Sequence, residues 1–318
     1  MHVTRRREWP EHVAQCLELA VLLEASADKP GNVNRTAGFQ GTRYEHFLAS
    51  AVAMTLPLEK AARRGLAAAR GRIDVSAVGV GQTIKECVVG IKEWQRGGNT
   101  LLGTAILLAP VAVAAGMTQS DSDRIEISEL RENMRLVVEA TTAEDAVGLY
   151  EAIAIADPGG LGEAGEFDVN DPESIVRLKS ENVSLHEIFK KAERRDRICS
   201  EWVNNFPITF DVAYPCLVEQ LKRRADLNTA VVTTFLEVLA AYPDTLIARK
   251  TSMENAEQVS VLVQEALVAG GLDVQYGREK LRELDLKLRS SGNLLNPGTT
   301  ADIIAAALSV ILLGGYKP

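Results

Sequence analysis

The segment Leu101–Met117 is 17 consecutive residues without a formal charge, and no other part of the chain restricts its fold as strongly. A helix that is apolar around its whole circumference offers no face to water, so it must lie in a bilayer or in the middle of a packed protein. A bilayer span needs about 20 residues, and Thr104 and Pro110 interrupt the apolar surface. A buried central helix near residues 100–116 is therefore expected, with other helices around it. Composition points the same way: hydrophobic residues make up 46% but aromatics only 5%. Aliphatic side chains and alanine favour close helix packing over sheet. The predicted fold class is all-α, a single large multi-helix domain covering residues 1–318, a length that does not require two cores.

Acidic residues outnumber basic ones by 43 to 35, for a formal charge of -8. Such a surface repels polyanions, so nucleic acid is not an expected partner, and neither is a membrane. Arg5, Arg6 and Arg7 precede a segment broken by Glu8, Glu11, His12, Gln15 and Glu18 rather than the apolar run of a secretory signal. A cytoplasmic protein starting near residue 1 is expected. Cys16, Cys87, Cys199 and Cys216 are widely spaced and read as helix-borne, buried thiols of a reducing compartment. His2, His12, His46 and His186 have no ligand spacing, so any metal is expected to be magnesium arriving with phosphate.

Apolar spacing predicts helices from about Glu11 to Ser26, from Thr42 to Ala69 with a possible bend at Pro57, and from Val78 to Trp94. Thr142 with Asp145 and Ser184 with Glu187 have the spacing of capping boxes, opening helices towards Ala156 and Phe206. Asp157 to Asp171 reads as the longest irregular stretch, a loop over a site. Turns fall at Tyr242-Pro243-Asp244, Gly270-Gly271 and Asn296-Pro297-Gly298, before a last apolar run, Ile303 to Leu313.

Several of these turns carry groups suited to chemistry. Glu24 lies in the last turn of the first helix, where exposed carbonyls disfavour a negative charge by roughly 0.3–1 kcal/mol. It has to pair with Lys29 or Arg35, or face a metal-phosphate or a developing cation. Lys29-Pro30-Gly31-Asn32-Val33-Asn34-Arg35 gathers two cations and two amides in a glycine-permissive bend able to donate to phosphate, although an ordinary turn has similar composition. Glu45, His46 and Ser50 follow on the next helix. Gly97-Gly98-Asn99-Thr100 opens the buried helix, as an anion site or as a plain Asn cap. Gly159-Gly160-Leu161-Gly162 permits close backbone approach but lacks the ending of a P-loop. Asp244 with Arg249 and Lys250 suits a magnesium triphosphate or a surface ion pair. Thr299 with Asp302 has capping-box spacing.

Taken in order, these turns resemble those of the triphosphoribosyl-dephospho-CoA synthases, which prepare the prosthetic-group precursor of carrier proteins in citrate lyase and malonate decarboxylase. The resemblance rests on Glu24 with Lys29-Pro30-Gly31-Asn32-Val33, Phe47 to Ser50, Gly98-Asn99-Thr100 with Gly103, and Gly159-Gly160-Leu161-Gly162-Glu163. Asp244-Thr245 with Arg249 and Asn296-Pro297-Gly298 with Ala301-Asp302 complete it. It implies an all-α enzyme that moves the 5-triphosphoribosyl group of ATP onto a ribose hydroxyl of 3′-dephospho-CoA and releases adenine. The centre passes through an oxocarbenium-like state, which calls for a carboxylate, a base and cationic clamps. On that footing Glu24 and Asp244 are assigned to magnesium or the ribosyl cation, and Lys29, Arg35, Arg249 and Lys250 to phosphates. Asn32, Asn34, Asn99, Thr100 and Gly160 line the nucleotide, Glu45 or His46 is the base, Glu163 touches the acceptor, and Asp302 organises the entrance of the last helix.

The chain departs from the family pattern twice. Asn34 replaces the aspartate of P-G-L-V-D, and Leu101-Leu102 replace the His-Lys of N-T-H-K-G. These changes keep two alternatives open: a ribosyl or ribosyl-phosphate transfer in another cofactor pathway, such as that of a methanopterin-type pterin, and a helical nucleotide-binding protein without turnover.

Overall fold

In the computed structural model, residues 8–118, 124–162, 165–223 and 226–318 are described. Among them the chain forms α1 (Trp9–Ser26), α2 (Tyr44–Ala69), α3 (Val80–Trp94), α4 (Leu102–Met117), α5 (Ile127–Glu139), α6 (Ala143–Ala156) and α7 (Pro172–Ser180). There follow α8 (Leu185–Ala192), α9 (Arg197–Val203), α10 (Tyr214–Arg223), α11 (Leu227–Ala241), α12 (Thr245–Lys250), α13 (Met253–Val268), α14 (Gln275–Ser290) and α15 (Gly298–Leu313). A short π-helical stretch, Ile208–Ala213, runs into α10. No strand occurs among the described residues, only one isolated bridge between Phe39 and Thr42. The fold is all-α, as expected.

The apolar run becomes α4, and 14 of its 16 residues are buried. Pro110 has no N–H for the carbonyl of Ile106, which would be left unpaired inside the core. The indole Nε1 of the buried Trp202 donates to that carbonyl at 3.2 Å. Trp9 Nε1 likewise donates to Ala115 O, near the C-terminal end of α4, at 2.8 Å. α2 lies along α4 at backbone distance: a Cβ on Gly65 would run into the Val113 carbonyl, and one on Gly116 into that of Ala62. α15, also buried at 14 of its 16 residues, packs on α1 and α4. Two almost wholly buried helices thus lie at the centre and amphipathic ones around them. No helix among the described residues is long and apolar enough to cross a membrane.

Both expected capping boxes form, Thr142 with Asp145 and Ser184 with Glu187. The helix predicted from Ser184 to Phe206 is instead two. α8 stops at Ala192, before the charged run Glu193-Arg194-Arg195-Asp196, and Asp196 starts α9 by accepting from Ile198 N at 2.8 Å and Cys199 N at 3.2 Å. A run with no apolar member gives a helix nothing to bury there, and an aspartate able to cap restarts it one turn later. Residues 157–162 and 165–171 are irregular, but 27–43 form a longer irregular segment between α1 and α2. Cys16, Cys87 and Cys199 are buried, Cys216 is half-buried, and none of the four forms a disulfide.

Candidate active site at a junction of helix ends

α1 ends beneath the Lys29 turn. The Lys29 ammonium is completely buried, 3.0 Å from Glu24 Oε1, and donates to the carbonyls of Glu24 and of Ala27, the latter at 3.2 Å. Two of its donors thus serve carbonyls, and the carboxylate beside it makes an ion pair. The cation neutralises both the carbonyl end of α1 and the carboxylate placed unfavourably there. Lys29, expected to bind phosphate, is buried against the end of α1, and burial raises the Glu24 pKa against the lowering effect of Lys29. Gly31 (φ 71°) lets the turn pass flat against Leu288, where a Cβ would collide. α14 grips the same turn: Asp285 Oδ1 accepts from Gly31 N at 2.8 Å, and Arg289 donates to Asn32 O at 2.6 Å.

The amides of that turn differ in what they have left to offer. Asn32 Nδ2 donates to Asn296 Oδ1 at 2.8 Å, tying the first motif to the last. Asn34 Oδ1 accepts from Thr36 N, Thr36 Oγ1 and Ala37 N at 2.9–3.1 Å, so it closes a local turn rather than facing a ligand. Arg35 is exposed and pairs with Asp28 at 3.3 Å.

Asp244, rather than Asp302, caps the last helix. Asp244 is 1% exposed. Its Oδ1 accepts from Leu246 N and Ile247 N, starting α12, and its Oδ2 accepts from Thr300 N at 2.7 Å and Thr300 Oγ1 at 2.8 Å, capping α15. Four donors occupy both oxygens. The predicted box between Thr299 and Asp302 does not form, because α15 is capped from outside by Asp244 and has no side-chain cap of its own. Asp302 is thereby released to cross to the start of α4, where Thr104 Oγ1 donates to its Oδ1 at 2.5 Å. Its Oδ2 lies over Cα of Gly103, in space that a Cβ would fill, and the residue keeps some solvent exposure. Burial first, then the charges of Glu24 and Asp244, push its pKa up to about 8, with the Thr104 bond and Arg249 opposing.

Arg249 is the cation whose charge opposes the rise in the Asp302 pKa. It pairs with Asp196, and its backbone lies against Gly160 (φ 78°), at which a Cβ would come 3.2 Å from the Arg249 carbonyl oxygen. The 157–171 loop thus reaches the cationic wall. Lys250 donates to Asn293 O at 3.1 Å, and burial lowers the pKa of both cations. Glu163 lies outside the described residues.

The start of α2 forms a neighbouring group. His46 Nδ1 accepts from Arg43 N at 3.0 Å, and Ser50 Oγ shares a 2.8 Å bond with Thr100 Oγ1. Glu45 is exposed and pairs with Arg43 at 2.9 Å. The exposed Asn99 accepts from Leu102 N at 3.2 Å, acting as the helix cap. Leu101 is buried, and Leu102 joins Val88, Ile91, Ile155 and Ala156 in an apolar slit beside Asn99.

A resident magnesium ion does not fit the predicted pair. Asp244 has no free lone pair and Glu24 has an ammonium beside it, and the described residues include no cluster of three or more acidic, His or Cys groups suited to a metal. A cavity of about 460 Å³ lies elsewhere, at the starts of α6 and α8. It is walled by the two capping boxes, with Glu139, His186 and Lys190, and its N-terminal donors are already engaged. Sequence reading missed Asp196, Thr104 and the Asp285–Arg289 pair, and gave Asn296 as part of a turn without its bond to Asn32. Only Asp196, an aspartate at a break in apolar spacing, carried a local signal.

A model of the ATP:dephospho-CoA triphosphoribosyl transferase family matches residues 10–318. No curated protein matches the chain. The fold is shared with a crystal structure of a "putative triphosphoribosyl-dephospho-coA synthase" from Archaeoglobus fulgidus. That structure is 23% identical, with a TM-score of 0.63 over 86% of this chain and 100% of that one. The junction of helix ends is built from turns that the family match spans from first to last, and the chain belongs to the ATP:dephospho-CoA triphosphoribosyl transferase family.

Proposed function

We propose that the chain transfers the 5-triphosphoribosyl group of ATP to a ribose hydroxyl of 3′-dephospho-CoA. The bond from C1 of the ATP ribose to adenine breaks, a bond from C1 to the acceptor oxygen forms, and the phosphate chain stays intact. The observation that carries this reading is Asp302, a carboxylate with one oxygen held and one open, between Arg249 and the adjoining starts of α4 and α15. Asp302 accepts the proton of the incoming hydroxyl, in place of Glu45 or His46, and its charge favours the cationic ribosyl centre. Arg249 and Lys250 hold phosphate oxygens, and Asn99 and Thr100 lie at the mouth of α4 for ribose. Magnesium enters with the nucleotide as part of the substrate. Adenine release by the purified chain, measured with and without dephospho-CoA, tests the assignment. Release that depends on dephospho-CoA is expected, and ATP binding with no release under any acceptor overturns turnover altogether.

The second reading keeps the donor and changes the acceptor. It is favoured by Leu101 and Leu102, which put apolar surface where the resemblance implies an imidazole and an ammonium. Release that requires a different hydroxyl acceptor, such as a pterin precursor, selects it.

A further inference from the structure

We infer that Asp196 is a positioning residue for the nucleotide triphosphate: it holds the Arg249 guanidinium over the site while anchoring α9 at its other oxygen. This rests on the transferase reading above.

The two oxygens of Asp196 have separate duties. Oδ1 accepts from Ile198 N and Cys199 N, so the carboxylate is fixed by backbone and cannot follow a moving partner. Oδ2 meets Arg249 Nη1, and the two side chains are 20% and 30% exposed. A pair this shielded keeps much more of its attraction than a surface pair does. α9 is seated beside the proposed reaction centre: Ile198 and Asp302 both border the Cα of Gly103, and Arg197 N donates to Thr245 Oγ1 at the start of α12. Arg249 is also fixed through its backbone by the close approach of Gly160. An arginine has many rotamers, and holding it in one before the substrate arrives removes an ordering cost from binding. Only one guanidinium nitrogen is engaged by Asp196, and arginine binds phosphate through two donors.

Asparagine separates the duties, since its carbonyl still caps α9 while the charge that holds Arg249 is gone. Calorimetric titration with magnesium-ATP and with inorganic triphosphate should show about tenfold weaker binding for Asp196→Asn than for wild type, with Tm lowered less than in Asp196→Ala because the cap on α9 is kept. Asp196→Ala should lose the same affinity and lower Tm as well. In an Arg249→Ala background, Asp196→Asn should cause no further loss, because its effect runs through the missing side chain. Losses that multiply instead, or an Asp196→Asn affinity equal to wild type, overturn the inference while leaving the transferase reading intact. Wild type that binds neither probe overturns both.

Discussion

Replacing Asp302 by asparagine keeps an oxygen to accept from Thr104 and removes the charge. If that carboxylate takes the acceptor proton, adenine release should fall by about 10²–10⁴-fold. Its pKa of about 8 means that the wild-type rate should climb from pH 6.5 and level off above about 8. Loss of that limb in the variant, with ATP affinity retained, is the expected result; an unchanged profile removes Asp302 from the chemistry. Stability gives a second readout. The pKa is raised on folding, so between the ordinary carboxylate range and about 8 the unfolded chain ionises this group first. Its contribution therefore falls as pH rises through that window. The Tm of Asp302→Asn relative to wild type should rise accordingly. Asp244→Asn should destabilise the fold, because its amide NH2 faces N–H donors, at a cost of about 1–3 kcal/mol. A denaturant midpoint equal to wild type would show that the joint between α12 and α15 does not depend on the carboxylate. The sequence presents both residues as acids beside turns. Their difference lies in partners 56 and 198 positions away, which no local spacing reveals.

Helices announce themselves through chemistry within four residues, which is why the boundaries of α1, α4 and α6 follow from apolar spacing and caps. The break between α8 and α9 was missed because it depends on Asp196 turning its side chain back onto its own backbone rather than outward. How closely the helices approach is written more faintly, in glycines that resemble any others. Gly65 and Gly116 lie where α2 and α4 meet, each against the other helix's backbone carbonyl, so neither can gain a methyl group without pushing the helices apart. Gly65→Ala and Gly116→Ala each raise helix propensity locally by about 1 kcal/mol. Both should nevertheless destabilise the protein, by about 1–3 kcal/mol from overpacking. Chemical denaturation settles the sign, and a stabilised variant at either position would mean that the helices lie farther apart than described.

The proposed site is assembled from residues as far apart as Glu24 and Asp302, on segments that also carry the core: the α1 terminus, the starts of α4 and α15, and α12. The core itself is continuous, from Val13 to Leu313, and the two apolar helices at its centre are the ones whose first turns meet at the site. Opening the core should therefore dismantle the site, and a ligand held there should stabilise the whole chain rather than one part. Magnesium-ATP at about 100 times Kd contributes about 2.7 kcal/mol, worth roughly 4 °C in Tm for a chain of this length. Scanning calorimetry should show one transition that moves upward as a unit, and Arg249→Ala should shrink the shift at the same nucleotide concentration without abolishing the transition. Two transitions, of which the nucleotide moves only one, would instead mean that α1, α4 and α15 do not unfold together, and that the helix ends are brought into register by the ligand.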